Sequence, residues 1–431
     1  MASSHPDRSA SLSGRERAAA AAILLLATAL LSIGLREDWR LLHEDNGALF
    51  TTLALSHLKL GVMGTRAHDV FVVPATGERF PYGHHPPGVA LLVAASFAVT
   101  GSDAPAVARS LAIAFHLGSA VLLLALLRRV VASREALFGL LLFAVLPMSA
   151  YFGRMVGYEP FGLFAVLLML NGWTRHRMEG GRAGLGLLAA GIVLGGLIDW
   201  APLFFAVALG IVEIVDLLRG TGGSRPGLAT LAVASTSVLL VDLLHLAVAG
   251  HGAFQSLAAI LAEGAVPGRP GLSPVEFLLG QLEGFRRYFT HAGLVSALLV
   301  GTALLRSRGR LAETFGLADP VLLRLLAVTG GASLGYVLAA PRWAEVHAYW
   351  KFYALPFTVL AMTLVAGALR RGMVPHRQLF LALAFLASAE ILVTSVYMLH
   401  LRHTRIGEYA VTETAKLRRD FLCPRSVPPA P

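Results

Sequence analysis

The chain has 431 residues, of which 56% are apolar and only 14% charged, and it carries a formal net charge of +10. Soluble domains have about 25% charged residues, so this balance excludes an ordinary soluble globule and points to a polytopic membrane protein. It also excludes nucleic acid as the reason for the positive charge. The arginines gather at the ends of apolar runs, as in Arg15 and Arg17, Arg128 and Arg129, Arg175 and Arg177, Arg306 and Arg308, and Arg370 and Arg371, where they set topology.

In chain order, continuous apolar runs at 19–35, 105–127, 135–151, 160–173, 183–198, 201–218, 226–249, 292–305, 319–340, 353–369 and 378–400 predict eleven spanning helices. The runs are apolar throughout and do not alternate, which favours helices over a barrel. The fold class is therefore all-α, a polytopic transmembrane helical bundle. With the N-terminus inside, eleven crossings put every arginine cluster on the inner side and the C-terminus outside. Residues 89–100 are apolar but number only about twelve, short of the roughly 17–25 that a crossing needs. A crossing there would move every later cluster outside, so they read as an interfacial or re-entrant helix on the outer face. Three arginines precede the first run, as they would in a signal peptide. No small-residue cleavage pattern follows, and the run reads as an uncleaved span. A single membrane domain results, with a core over 18–401 and flexible tails at 1–17 and 402–431. The one cysteine, Cys423, excludes an intramolecular disulfide and a cysteine metal cage.

Three outer regions are long enough to hold chemistry: 36–104, 250–291 and 341–352. The first carries His43-Glu44-Asp45-Asn46-Gly47, a helical pattern over about 47–60, and Tyr82-Gly83-His84-His85-Pro86-Pro87-Gly88. Asp45 suits a helix N-cap. With Glu44 beside it, it also suits a general base that removes a proton from an attacking hydroxyl. Glu159, just ahead of Pro160 in a short outer link, suits the first turn of a helix. The topology also sets it on the side of Asp45, so that two carboxylates face one pocket with Tyr82 and Arg154 among its walls. His84 and His85 lack zinc-type spacing and fit a rigid turn or a phosphate contact. In 341–352, Arg342, His347, Tyr349 and Lys351 lie among Trp343 and Trp350. That is the composition of an aromatic belt with snorkelling cations, or of a cradle for a lipid phosphate. Arg286 and Arg287 end an amphipathic surface helix over Glu276–Tyr288 and fit the same role. Inside spans, Asp242 and His245 are three apart and suit a pair on one helix face, with His116 and Glu390 scattered elsewhere. Glu213, Asp216 and Arg219 read as a charge cluster at an inner helix end.

The acidic first outer loop, the Tyr-x-x-His-Pro-Pro motif before a short apolar helix, and Gly101–Arg109 leading into a span that ends in Arg-Arg resemble the GT-C family. These are membrane glycosyltransferases that use polyprenyl-phosphate sugars. The similarity is greatest to the branch of protein mannosyltransferases, aminoarabinose transferases and rhizobial galacturonosyltransferase-like enzymes. It covers about 20–170, and His347–Pro356 more weakly. By this resemblance Asp45 is the catalytic base, with Asp-Asn-Gly in place of the more usual Asp-Glu-Gly, and Glu159 is the second acid. His85 stands where a lysine often meets the lipid phosphate.

The resemblance implies transfer of a hexosyl or pentosyl group from a polyprenyl-phosphate donor to an acceptor hydroxyl at the outer face of the plasma membrane, with inversion. Glu44, Asp45 and Glu159 are the catalytic candidates. His84, His85, Arg286, Arg287, His347, Tyr349 and Lys351 are the donor-phosphate candidates, and Tyr82 and Arg154 belong to the substrate pocket. Partners are the donor lipid, membrane lipid and a glycan, lipid or protein acceptor, with no nucleic acid. No cofactor is implied with certainty. A divalent cation is left open, and Glu159 is the residue to help hold it. A secondary transporter predicts broken half-helices and ionisable residues in mid-span, whereas the polar residues here concentrate in outer loops. A non-catalytic membrane scaffold is the other alternative.

Overall fold

A computed structural model of the chain describes residues 12–39, 43–72, 79–264, 273–306, 313–315, 317, 319–373 and 377–404. Helix α1 (Gly14–Ser32) starts at a capping box, in which the Ser13 hydroxyl accepts from the Glu16 amide and the Glu16 carboxylate accepts from the Ser13 amide. The segment between α1 and the next long helix then holds α2 (Asp45–Leu60), α3 (Val62–Thr65), a two-stranded antiparallel hairpin of β1 (Val70–Val72) and β2 (Arg79–Pro81), and α4 (Gly88–Thr100). The bundle continues through α5 (Pro105–Val130), α6 (Ser133–Val145), α7 (Pro147–Phe152), α8 (Tyr158–Glu179), α9 (Arg182–Gly196), α10 (Ala201–Arg219), α11 (Arg225–Ala249), α12 (His251–Gly264) and α13 (Pro274–Arg306). It closes with α14 (Pro320–Ala339), α15 (Pro341–Val346), a 3-10 turn (Ala348–Ala354), α16 (Leu355–Ala368) and α17 (Arg377–Thr404).

Every one of the eleven apolar runs is largely helical, and the all-α membrane class stands. Seven helices among the described residues are long and apolar enough to cross a bilayer: α5, α10, α11, α13, α14, the 3-10 turn with α16, and α17. The other four runs differ for local reasons. Helix α1 is charged in its first turn by Arg15, Glu16 and Arg17, and α9 has only 15 residues. The run 135–151 breaks where Pro147, which has no amide hydrogen, starts α7. Helix α8 brings Glu159 to one end and Arg175, His176 and Arg177 to the other. Residues 89–100 fall in the 13-residue α4. At 1.5 Å per residue it is about 20 Å long, short of the roughly 30 Å hydrocarbon layer.

The tails also differ from expectation, since residues 14–17 and 402–404 are helical; the rest of the C-terminal tail lies outside the described residues. Helix α13 joins the expected surface helix to the expected span. The junction is Thr290, whose φ of 69° breaks the helix there and sits in the left-handed region that β-branched residues avoid.

Two apolar cores hold the chain. The larger runs through α1, α5–α11, α13, α14, the 3-10 turn, α16 and α17. The smaller joins α2 (Phe50, Leu53) and α4 (Val89, Phe97) to Tyr158, Phe161 and Ile198. Helices α8 and α9 touch backbone to backbone. A Cβ on Gly172 would lie 2.3 Å from the Leu188 nitrogen, and one on Gly191 2.5 Å from the Met169 nitrogen. This is the small-residue seam that lets membrane helices pack closely.

At one end of the bundle, Arg177 pairs with Glu213 and Asp216, and Arg324 joins on Asp216. The partners of this cluster are thus Arg177 and Arg324 from other helices, while the expected Arg219 is exposed. The Asp242–His245 pair does not form: the second oxygen of Asp242 is buried without a partner, and His245 bonds the Arg66 carbonyl. His116 bonds Ser149, and Glu390 bonds His291.

Candidate active site

The opposite end of the bundle gathers residues 33–39 and 43–45 and the links 153–157, 197–201 and 341–354. Entry into α2 is a tight turn at His43, whose φ of 64° is left-handed and whose Nδ1 lies 3.1 Å from the Tyr151 hydroxyl. Glu44 follows, and its carboxylate turns inward. One oxygen accepts from Arg109 at 2.8 Å and from Arg154 at 3.1 Å. Arg109 also donates to the carbonyls of Leu35 and Glu37 and lies 4.2 Å over the Trp39 ring, while Arg154 donates to the Ile33 carbonyl. All three charged residues are buried. The cavity beside them, about 20 Å³, has room for one water and none for a sugar ring. Glu44 and Arg154 thus form an ion-pair knot with Arg109.

Asp45 turns the other way. It is the first residue of α2, so it does not cap the helix. Its side chain is exposed, and among the described residues it has no hydrogen-bond partner. His43 and His347 stand close enough to feel its charge.

The Tyr82–Gly88 stretch is stitched onto the α9–α10 link. Gly88 donates to the Leu197 carbonyl at 3.1 Å, and a Cβ on Gly88 would fall 2.2 Å from that oxygen. The Trp200 indole donates to the His84 carbonyl at 2.9 Å. This docking lays His85 against Asp199, with Nδ1 to carboxylate 3.0 Å, and stacks the ring on Tyr158 at 4.0 Å. Asp199, 1% exposed, also accepts from the Tyr353 hydroxyl at 2.6 Å and the Trp200 amide at 2.7 Å. Tyr82 packs on Phe71 and His84, and its side chain lies near Glu159 and Asp199. Behind it, the buried pair of His57 and Asp69 ties the hairpin to α2 at 3.0 Å. Burial raises the Asp69 pKa.

Glu159 sits in the first turn of α8, 3% exposed, with one oxygen lacking a partner. Tyr349 lies within the fields of both Glu159 and Asp45, and its hydroxyl is 2.8 Å from His347 Nδ1. The His347 ring stacks between Trp343 and Tyr349.

The expected phosphate contacts separate by charge and access. Burial lowers the pKa of His347 to about 4 and, with the neighbouring His85, that of His84 to about 4. Both are therefore neutral at pH 7. Arg286 is committed to Glu283 through two bonds of 2.6 Å, and Arg287 is 58% exposed on the same surface helix. Lys351 is buried and donates to the Ala344 carbonyl at 3.3 Å, with no carboxylate partner among the described residues. It fits because the nearest helix offers Gly284, whose Cβ would stand 3.2 Å from the ammonium nitrogen.

Among the described residues, no three His, Cys, Asp or Glu side chains converge closely enough to hold a metal ion. No chemical step is assigned to the divalent cation left open by the sequence. Sequence reasoning missed Asp199. An aspartate squeezed into the two-residue gap between the runs 183–198 and 201–218 is a signal that was there to find. Asp69 and Tyr353 carried no comparable signal.

Residues 84–199 match the sequence model of the dolichyl-phosphate-mannose-protein mannosyltransferase family. No curated protein sequence matches the chain. Among solved structures it is similar to the Archaeoglobus fulgidus oligosaccharyltransferase in its apo form, at 14% identity and a TM-score of 0.60, over 96% of this chain and 60% of that one. It is also similar to ArnT from Cupriavidus metallidurans bound to undecaprenyl phosphate, at 14% identity and a TM-score of 0.56, over 93% of this chain and 77% of that one. At such identity the likeness is one of fold. The chain spans about 60% of the length of the archaeal enzyme.

Proposed function

We propose that this chain, an integral membrane protein with the GT-C glycosyltransferase fold and the mannosyltransferase signature over residues 84–199, moves a sugar from a polyprenyl phosphate to an acceptor hydroxyl. One observation carries the mechanism. Among the described acids at this end of the bundle, Glu44, Asp69, Glu159 and Asp199 are buried and Glu37 bonds His403, whereas Asp45 is exposed with no hydrogen-bond partner among the described residues.

Asp45 takes the proton of the acceptor hydroxyl, whose oxygen attacks the anomeric carbon. The bond from that carbon to the phosphate oxygen breaks, the electron pair leaves with the phosphate, and the configuration inverts. His85 and Lys351 face the charge on the departing phosphate, where pre-placed donors are most effective. His84, His347 and Tyr349 contribute hydrogen bonds, and Arg286 and Arg287 receive the lipid at the surface. Glu159 lies behind and orients the acceptor, and Tyr82 walls the pocket. Glu44 and Arg154 hold the turn that aims Asp45. The site faces the extracytoplasmic side of the plasma membrane, and the sugar is a hexose or pentose. The acceptor is a glycan, a lipid or a protein.

The test follows release of polyprenyl phosphate from a panel of polyprenyl-phosphate sugars by the purified, reconstituted protein. Asp45→Asn should lower turnover by roughly 10²–10⁴-fold while native mass spectrometry still finds the lipid bound. His85→Ala and Lys351→Ala should each retain less of the lipid than wild type. Full turnover by Asp45→Asn removes the base assignment, and solute flux into proteoliposomes without turnover supports a transporter instead.

A further inference from the structure

The unassigned group in this region is Asp199. Its carboxylate receives three donors from three segments 1 to 154 residues apart in sequence: the His85 ring, the Tyr353 hydroxyl and the Trp200 amide. Asp199 already accepts from the Trp200 amide and the Tyr353 hydroxyl, and its contact with His85 is read in the same sense, with ring Nδ1–H as the donor. Tyr158, stacked at 4.0 Å and 25°, fixes the ring plane. The Nδ1 contact and the direction of the ring are therefore both set, and Nε2 points away from the carboxylate. His85 is 19% exposed, and Nε2 has no partner among the described residues. The other charged and titratable neighbours are Asp69, Glu159, His84, His347, Tyr82, Tyr158 and Tyr336.

We infer that Asp199 is the positioning residue of the lipid-phosphate site, holding His85 by Nδ1 so that, with a proton on both ring nitrogens, Nε2–H donates to a phosphate oxygen of the donor lipid. The inference rests on the glycosyltransferase reading. A backing carboxylate that orients the ligand-facing imidazole is the arrangement by which such rings are kept aimed and correctly protonated. A flexible cation would need no such support, and Asp199 has this task because a rigid ring stands at position 85. Asp199 touches no substrate itself and acts through His85.

A mutant cycle on binding of undecaprenyl phosphate to the full chain in nanodiscs separates this role from a purely structural one. His85→Ala and Asp199→Asn should each weaken binding roughly ten-fold, the scale of one charge-assisted hydrogen bond. The double variant should bind no more weakly than His85→Ala, because Asp199 has nothing left to position. Asp199→Glu should recover part of the loss. If Asp199→Asn does not fold, Asp199→Glu made alone and together with His85→Ala carries the same comparison. Losses that add in full, or wild-type affinity in Asp199→Asn, overturn the inference. Wild-type protein that binds no undecaprenyl phosphate overturns the glycosyltransferase reading, and the inference with it.

Discussion

Glu44 and Asp45 are adjacent carboxylates with opposite fates, and the difference is one of direction. Glu44 points into a pocket with two buried guanidinium groups, and Asp45 points to solvent. Removing the charge of Glu44 leaves Arg109 and Arg154 buried and uncompensated, a loss of about 3–5 kcal/mol. Glu44→Gln should therefore melt well below wild type in detergent, with Asp45→Asn unchanged within a degree or two by the same measurement. Equal melting of all three proteins would remove the structural assignment of Glu44. His347 offers a second check, through pH. Its pKa falls from the ordinary 6.5 to about 4 because burial disfavours the charged ring. Between those values the unfolded chain binds the proton and the folded chain does not, so stability is lost as pH falls from about 6.5 to 4. The margin of wild type over His347→Gln should shrink from pH 7.5 to pH 5 in thermal unfolding. A margin that holds or grows on acidification contradicts the burial.

Among elements, the Tyr82–Gly88 stretch owes its position to one backbone contact. Gly88 reaches the Leu197 carbonyl so closely that a methyl group has no room, and the obstacle is backbone rather than a movable side chain. Gly88→Ala should cost about 1–3 kcal/mol by overpacking. It should also weaken lipid-phosphate binding by lifting His85 from Asp199. Gly186→Ala in α9, where nothing lies within 4 Å, is the matched control and should leave both unchanged. Lipid binding at wild-type strength in Gly88→Ala would show that the docked loop is not needed for the site. The two halves of α13 illustrate another element-scale point. Helical periodicity over Glu276–Tyr288 and an apolar run over 292–305 announce a surface helix and a span, and Thr290 is where they part.

For the whole molecule, the sequence by itself determined the class: long apolar runs must satisfy their backbone groups within a helix, so the all-α membrane bundle was legible from end to end. It also determined which side chains reach one end together, because topology sorts links by parity. Asp45, Glu159, His85 and Lys351 were found that way. The number of helices able to cross was less legible, since a proline at 147 and charged ends on α1 and α8 alter single runs without changing composition much. The pairings were decided by the tertiary structure alone. Glu44 meets Arg109 and Arg154 across 65 and 110 residues, and Asp199 meets His85 and Tyr353 across 114 and 154. No local pattern encodes such contacts, because a carboxylate in a loop has the same sequence signature whether it turns toward buried cations or toward water. Burial and partner separate a structural acid from a reactive one, and both are properties of the packed chain.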